Sequence, residues 1–393
     1  MTEGEPLHPD PTALPQGRPL RVLYVARAPF ISGAERALMS ILRHLDRDAI
    51  EPALVLGHAN DTLAELARSF NIPIYQVRMP KRSWRSLPGW WRSLAAMGRV
   101  MRRFKPDVVH ANDVPSCQAM CAAAGRRRVP RVVHVRWTIT AAEMAWWCRA
   151  GVESVICISD YIRRSLGDPA GTPLAAARVD VVTDAVDWPA EVDDTTAPDQ
   201  TIPGPNAEQR PLLGFAGQLI PSKGLDLVIE ALGQLPARQR PRLLVAGRDT
   251  QRGGAYEKEL RELASEAGSA DSVNWLGFLH DVREMYRHVD AVVCPSREEP
   301  LGLVPLEAAQ FGRPCLATRT GGLAETVEHE RTGWLVEPTV DAWRAALAAL
   351  PEREHLQRIG RAAWDHTRQE RGPDRYQQRL MAVYASLVHG LER

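Results

Sequence analysis

From Leu20 onward the chain alternates short apolar runs with longer amphipathic stretches. Residues 20–26 (LRVLYVA) are nearly all apolar, the pattern of a strand buried on both faces. A turn with Ser32 and Gly33 follows, then an amphipathic stretch to about Leu45. Further strands are predicted at 53–56, 72–77, 107–110, 131–135 and 154–158, with Asp61 placed to cap the helix after the second strand. Between 88 and 104, Trp90, Leu94, Met97, Met101 and Phe104 recur on one helical face. The alternation pauses at 187–211, where acids and then Pro198, Pro203, Pro205 and Pro211 give the composition of a linker or long surface loop. It resumes with strands predicted at 212–216, 242–246, 273–276, 291–294, 315–318 and 334–336. Helices over about 340–350, 353–369 and 373–388 close the chain.

Strands alternating with helices imply parallel sheets covered on both faces. The 393 residues exceed what one core of roughly 250–300 residues holds. The expected fold class is therefore α/β, with two doubly wound parallel-sheet domains. The first takes 20–186, the linker 187–211 and the second 212–372, and a last helix at 373–393 is free to cross back to the first domain. Residues 1–19 hold Pro6, Pro9, Pro11, Pro15 and Pro19 with acids and no apolar core, and read as a disordered tail rather than a signal peptide. Ligands of such sheets bind outside the carboxyl ends of the strands, so the cleft between two sheets is the expected active site.

Composition narrows the chemistry. Forty-nine basic and 48 acidic residues give a net charge of +1, which excludes a generic nucleic-acid binder. No run of ~18 apolar residues occurs, so no membrane span is expected. The six cysteines form no C-x-x-C pair and read as buried thiols of a reducing compartment, which places the chain in the cytoplasm. Only four lysines occur, Lys81, Lys105, Lys223 and Lys258, so each draws attention.

Three strand-to-helix turns are candidates for chemistry. In the first, Glu299-Pro300-Leu301-Gly302-Leu303 runs into a helix that carries Glu307. Free N–H groups at such a helix start hold phosphate or sugar oxygens, and carboxylates accept from sugar hydroxyls. The bland reading is two solvated glutamates beside a helix cap. The second turn, Gly217 to Gly224, holds Lys223; a lysine at a helix start is electrostatically misplaced unless an anion is near. A surface lysine is its bland reading. The third is Ile31-Ser32-Gly33-Ala34-Glu35, suited to bring N–H groups to a diphosphate or to serve as a plain tight turn. No G-x-G-x-x-G fingerprint occurs, which argues against a dinucleotide-dependent dehydrogenase.

Taken together these segments resemble the GT-B glycosyltransferases, specifically the retaining family 4 group. The likeness runs from Leu20 to the C-terminal helices. It rests on the E-x7-E motif Glu299–Glu307, on the Ser32–Glu35 turn, and on segments 106–110, 156–166, 245–247, 276–278 and 320–325 in family order. The resemblance implies that Lys223 contacts the donor diphosphate and that Glu307 accepts the ribose hydroxyls. Glu299 and the backbone of Leu301, Gly302 and Leu303 become the donor-sugar and phosphate contacts. Gly33 becomes the loop that closes on the diphosphate, and Gly247, Arg248 and Leu279-His280 the edge of the nucleobase pocket. The family's catalytic histidine falls on the 131–137 strand, where either His134 or Arg136 could take its place.

Two positions depart from the family. Gln218 stands where an arginine is usual and cannot neutralise charge, which leaves Lys223 to do more or Arg248 or Arg319 to help. The hinge reads Asp184-Ala185-Val186-Asp187 in place of N-G-V-D, and alanine disfavours positive φ. No metal is expected, since the sole D-x-D, Asp46-Arg47-Asp48, sits in a polar turn and no cysteine cluster or H-E-x-x-H occurs. No cofactor beyond the nucleotide-diphosphate sugar itself is implied.

The partners expected are that donor and a glycan acceptor, lipid-linked or soluble. Residues 66–106 contain no acid but ten basic residues, with Trp84, Trp90 and Trp91 interleaved. Such a stretch suits an anionic membrane surface, with a solvated basic face as the plain alternative. The implied activity is retaining transfer of a sugar in cell-envelope or exopolysaccharide synthesis. A soluble small-molecule acceptor and a non-catalytic sugar-nucleotide binding module are the competing readings.

Overall fold

The computed structural model describes residues 18–29, 33–79, 87–186 and 210–389. Ser32, Lys81, Arg82, Trp84, Arg85, the linker at 187–209 and the N-terminal tail at 1–17 lie outside these. The chain divides into two compact units, 1–187 with 371–393, and 188–370.

The first unit holds β1 (Leu20–Ala26), α1 (Gly33–His44), β2 (Ile50–Leu56), α2 (Asp61–Ser69), β3 (Ile74–Gln76) and α3 (Leu87–Phe104). It continues with β4 (Val108–Ala111), α4 (Cys117–Gly125), β5 (Arg131–Val135), α5 (Ala141–Trp147), β6 (Ser154–Cys157), α6 (Asp160–Ser165) and β7 (Arg178–Val181). Its sheet is seven-stranded, in the order β3-β2-β1-β4-β5-β6-β7, and all pairs are parallel. Strand β2 begins at Ile50, not at 53, although Pro52 lies inside it. Pro52 is tolerated because β3 meets β2 only from Leu54 onward, so its missing N–H breaks no ladder on that side. The cap of α2 is Asn60, whose side chain accepts from Leu63 N; Asp61 is already the first helical residue.

The second unit holds β8 (Leu212–Ala216), α7 (Leu225–Gly233), β9 (Arg242–Ala246), α8 (Ala255–Glu266), β10 (Val273–Gly277) and α9 (Arg283–His288). After these come β11 (Ala291–Cys294), α10 (Leu303–Ala309), β12 (Cys315–Thr318), α11 (Leu323–Thr326), β13 (Gly333–Val336), α12 (Val340–Ala348) and α13 (Arg353–Arg371). Its sheet is six-stranded and parallel, in the order β10-β9-β8-β11-β12-β13. The last helix, α14 (Pro373–His389), belongs to the first unit. Its Tyr376, Leu380, Val383 and Tyr384 join the core formed by β1, α1 and β4.

Central strands bury nearly every side chain, as apolar runs in a covered parallel sheet must. All six cysteines are buried and unpaired. Among the described residues no helix is long and apolar enough to cross a membrane.

Candidate functional site

In the second unit the strand order reverses at β8: the chain moves to β9 and β10 on one side, then returns to β11 on the other. Loops after β8 and β11 therefore leave in opposite directions and open a crevice at the carboxyl ends of these strands. Lys223 stands in the loop after β8 and Glu299 in the loop after β11. The structure brings them together, with Lys223 Nζ donating to Glu299 Oε2 at 2.6 Å. Their side chains are 28% and 14% exposed. Ser296 Oγ donates to the same carboxylate oxygen at 3.2 Å. Burial works against the charge on Lys223, but Glu299 outweighs it and raises the lysine above its usual pKa. The anion that a lysine demands here is thus supplied by the chain's own glutamate. Lys223 ends a single 3-10 turn, two residues ahead of α7, and is not itself the start of that helix.

Glu307 lies on α10, half-buried, and accepts from the hydroxyl of Tyr286 at 3.0 Å. Tyr286 is fully buried on α9, and burial followed by the Glu307 charge pushes its phenol well above the usual value. No side chain caps α10; Gly302 precedes it at φ 96°, a left-handed conformation that glycine adopts without cost. Leu301 is buried and Leu303 half-buried on either side of it. The β12 loop and α11 fix this turn, as Gly322 N donates to Glu299 O at 2.8 Å and Thr326 Oγ1 to Leu301 O at 2.7 Å.

Gly247 opens the loop after β9. A Cβ there would stand 1.9 Å from Gly217 O, so only glycine lets the β8 and β9 loops touch. Leu219 N donates to Arg248 O at 2.9 Å and Gly247 N to Gly277 O at 2.8 Å, which laces three loops into one rim. Arg248 stacks on Phe278, its guanidinium carbon 4.5 Å from the ring centroid, and Phe278 in turn meets His280 edge-on at 5.3 Å. Leu279 is half-buried between them. Of the two cations considered as substitutes for the missing arginine, Arg319 is paired with Glu337 at 3.1 Å, whereas Arg248 meets no carboxylate among the described residues. Gln218 is exposed, and its side chain makes no hydrogen bond among the described residues.

Sequence reasoning gave no role to Arg297 and Asp226. Arg297 donates to both Asp226 oxygens and, at 2.8 Å, to Pro221 O, while its own N–H donates to Ser222 O. This pair ties the Lys223 loop to the Glu299 loop. Arg297 adjoins the E-x7-E segment, which is the local signal that could have marked it; Asp226 and Tyr286 carry none.

Gly33, His134 and Arg136 belong to the first unit, in which the strand order reverses between β1 and β4. Gly33 is exposed at the start of α1, and Asn112 Nδ2 donates to Ala34 O beside it at 3.1 Å. His134 is fully buried, with Nδ1 3.2 Å from His110 Nε2 and Nε2 3.7 Å from Asp184 Oδ1. Arg136 is also buried; it grips both Asp184 oxygens, at 2.8 and 3.0 Å, and donates to Asn112 O. His110 continues the chain to Tyr384 on α14 at 2.6 Å. Both candidates for the family histidine's place are therefore members of one enclosed polar network around Asp184. Residues 184–186, read as a hinge, are buried, and Ala185 takes no positive φ. Among the described residues no group of three His, Cys, Asp or Glu side chains converges as metal ligands would.

Comparison with known proteins decides the lineage. Residues 31–188 match the Glycosyltransferase Family 4 model and residues 199–365 the Glycosyl transferases group 1 model. The chain belongs to the family 4 glycosyltransferases. It is 31% identical over 302 residues to the D-inositol 3-phosphate glycosyltransferase of Gordonia bronchialis, covering 66% of this chain and 64% of that protein. It is 33% identical over 184 residues to the lipopolysaccharide core biosynthesis mannosyltransferase LpsB of Rhizobium meliloti, covering 45% of this chain and 52% of that one. The chain thus spans less than two thirds of the length of these curated relatives. The structure of Anabaena HepE in complex with UDP superposes with a TM-score of 0.76 at 20% identity, over 93% of this chain and 100% of that one. The fold of this family 4 chain is accordingly GT-B.

Proposed function

We propose that this protein transfers a sugar from a nucleoside-diphosphate donor to an acceptor hydroxyl with retention at the anomeric carbon, without a metal ion. The observation that carries the reading is the Lys223–Glu299 contact at the β8/β11 crevice, with Glu307 one helix turn beyond the same loop. Lys223 keeps Glu299 and shares its ammonium with the diphosphate when the donor binds. Glu307, held by Tyr286, accepts the ribose hydroxyls, and Gly247, Arg248 and Leu279 border the base. The bond from the anomeric carbon to the diphosphate breaks and the acceptor oxygen bonds to that carbon on the same face. The leaving phosphate oxygen takes the acceptor's proton. The protein's part is to stabilise charge growing on the diphosphate.

Likeness to the lipopolysaccharide mannosyltransferase supports an envelope or exopolysaccharide glycan as acceptor. In this reading the acid-free stretch 66–106 brings the protein to an anionic membrane surface. Likeness to the inositol 3-phosphate enzymes favours a second reading, a soluble phosphate-bearing acceptor. The test is a screen of UDP-, GDP- and ADP-sugars for release of nucleoside diphosphate, without acceptor and with each acceptor class. Release that Lys223→Ala and Glu307→Ala abolish supports the reading; no release from any donor with any acceptor removes it.

A further inference from the structure

Away from the donor site, a groove of about 570 Å³ lies between α3 and α4. Arg99 and Arg102 reach it from α3, and Arg126 and Arg127 from the turn that ends α4. Its floor is apolar and includes Leu94. The Arg127 guanidinium lies across onto Gly98 of α3, so both helices share one patch of charge. Some arginines of this unit meet acids, as Arg131 meets Glu153, Arg136 meets Asp184 and Arg178 meets Asp180, while Arg68, Arg78 and Arg103 stand singly without one among the described residues. The four groove arginines meet none among the described residues, and neither 66–106 nor 114–130 contains an acid. Four unpaired guanidiniums around one groove repel each other, and an anion relieves that repulsion. Trp91 is 54% exposed at the groove, with the Arg126 guanidinium carbon 5.9 Å from its ring centroid.

We infer that this groove binds the phosphate headgroup of an anionic phospholipid. Guanidinium forks match phosphate oxygens in pairs. The apolar floor suits the carbon skeleton that follows a lipid phosphate, and a tryptophan half in water suits the bilayer interface. A small free phosphate would use the forks and leave Trp91 and the floor bare. The inference rests on the membrane part of the reading above and is independent of the donor chemistry. It also goes further, because Arg126 and Arg127 lie outside the acid-free stretch and confine binding to one groove.

The test is co-sedimentation of the full chain with vesicles of equimolar phosphatidylglycerol and phosphatidylcholine, against phosphatidylcholine alone. One variant carries Arg99→Gln, Arg126→Gln and Arg127→Gln; a control of equal charge carries Arg68→Gln, Arg78→Gln and Arg103→Gln. Each arginine near an anionic surface contributes about fivefold to binding, so the groove variant should lose on the order of a hundredfold. The control should lose less than about tenfold, since long-range charge alone is screened. Trp91→Ala should weaken binding further at high salt, where the apolar contribution remains. Equal loss in both variants overturns the groove and leaves a diffuse basic face. No vesicle binding by the unmodified chain overturns the groove and the membrane reading together. Displacement from vesicles by millimolar free glycerol phosphate overturns the lipid source.

Discussion

Glu299→Gln should weaken the fold and tighten the hold on nucleoside diphosphate at the same time. The substitution replaces an ion-pair hydrogen bond of 2.6 Å by one from the ammonium to a neutral amide oxygen. That difference is worth about 1–2 kcal/mol for side chains 28% and 14% exposed. With diphosphate bound, the ammonium of Lys223 is shared between Glu299 and a phosphate oxygen. The two anions then stand roughly 5 Å apart, a repulsion of about 3 kcal/mol at an effective dielectric near 20. Partial exposure of Lys223 roughly halves that figure. Removing the Glu299 charge should therefore tighten nucleoside-diphosphate binding by about five- to thirtyfold, at 1.4 kcal/mol per tenfold. Lys223→Met removes the attracting charge and should weaken the same binding by a similar factor. Turnover should fall in Lys223→Met, by ~10² or more, because charge on the diphosphate grows in the transition state. Urea denaturation reads the stability change and calorimetry with the product nucleotide reads the affinity. If Glu299→Gln weakens nucleotide binding as Lys223→Met does, the competition drawn here is wrong.

Three further outcomes follow from the same geometry. Tyr286→Phe deletes one hydroxyl at 3.0 Å from Glu307 and should cost about 1–2 kcal/mol in nucleotide affinity, with the loss shrinking for a 2′,3′-dideoxy nucleotide; equal loss for both nucleotides would separate Tyr286 from the ribose. Gln218→Arg should hold or raise turnover and tighten product binding, because Gln218 is exposed and Arg319 is committed to Glu337; lower activity in a steady-state assay would show the charge already supplied. Burial, with Arg136 adding to it, pushes His110 down to about 3 and His134 well below its ordinary value. The unfolded chain takes up their protons near pH 6.5 and the folded one does not, so stability falls as pH drops below about 6.5, by about 1.4 kcal/mol per unit for each histidine. His134→Gln should remove about half of that slope in urea melts between pH 7.5 and 5.5; an unchanged slope would place the proton uptake elsewhere.

Much of the fold was legible because covered parallel strands are written as apolar runs. The 20–26, 131–135, 212–216, 242–246, 291–294 and 315–318 strands have the bounds that their composition suggests. Strand β7 escaped because it lies at the sheet edge, four residues long, half-buried, with Arg178 and Asp180 alternating with valines. Helix α4 escaped because CQAMCAAAG is apolar at every position but Gln118 and shows no period. At the β8/β11 crevice the rarity of lysine singled out Lys223, and the spacing of two glutamates singled out Glu299 and Glu307. Their partners did not show. Lys223 and Glu299 are 76 residues apart, and Arg136 and Asp184 are 48 apart, so only the folded sheet makes them neighbours. Asp184 was read as hinge because 184–187 takes the place of the family's N-G-V-D; its role as the buried counter-ion of Arg136 is a tertiary fact.

Whether the β8/β11 crevice binds a nucleoside diphosphate through Glu307 is read by calorimetry with UDP, GDP and ADP on the unmodified chain and on Glu307→Ala. One of the three should bind, and Glu307→Ala should weaken it at least tenfold, since each lost charged hydrogen bond is worth about 1.5–3 kcal/mol, while the urea midpoint hardly moves. Binding of none of the three, or equal binding by Glu307→Ala, would contradict this role of the crevice.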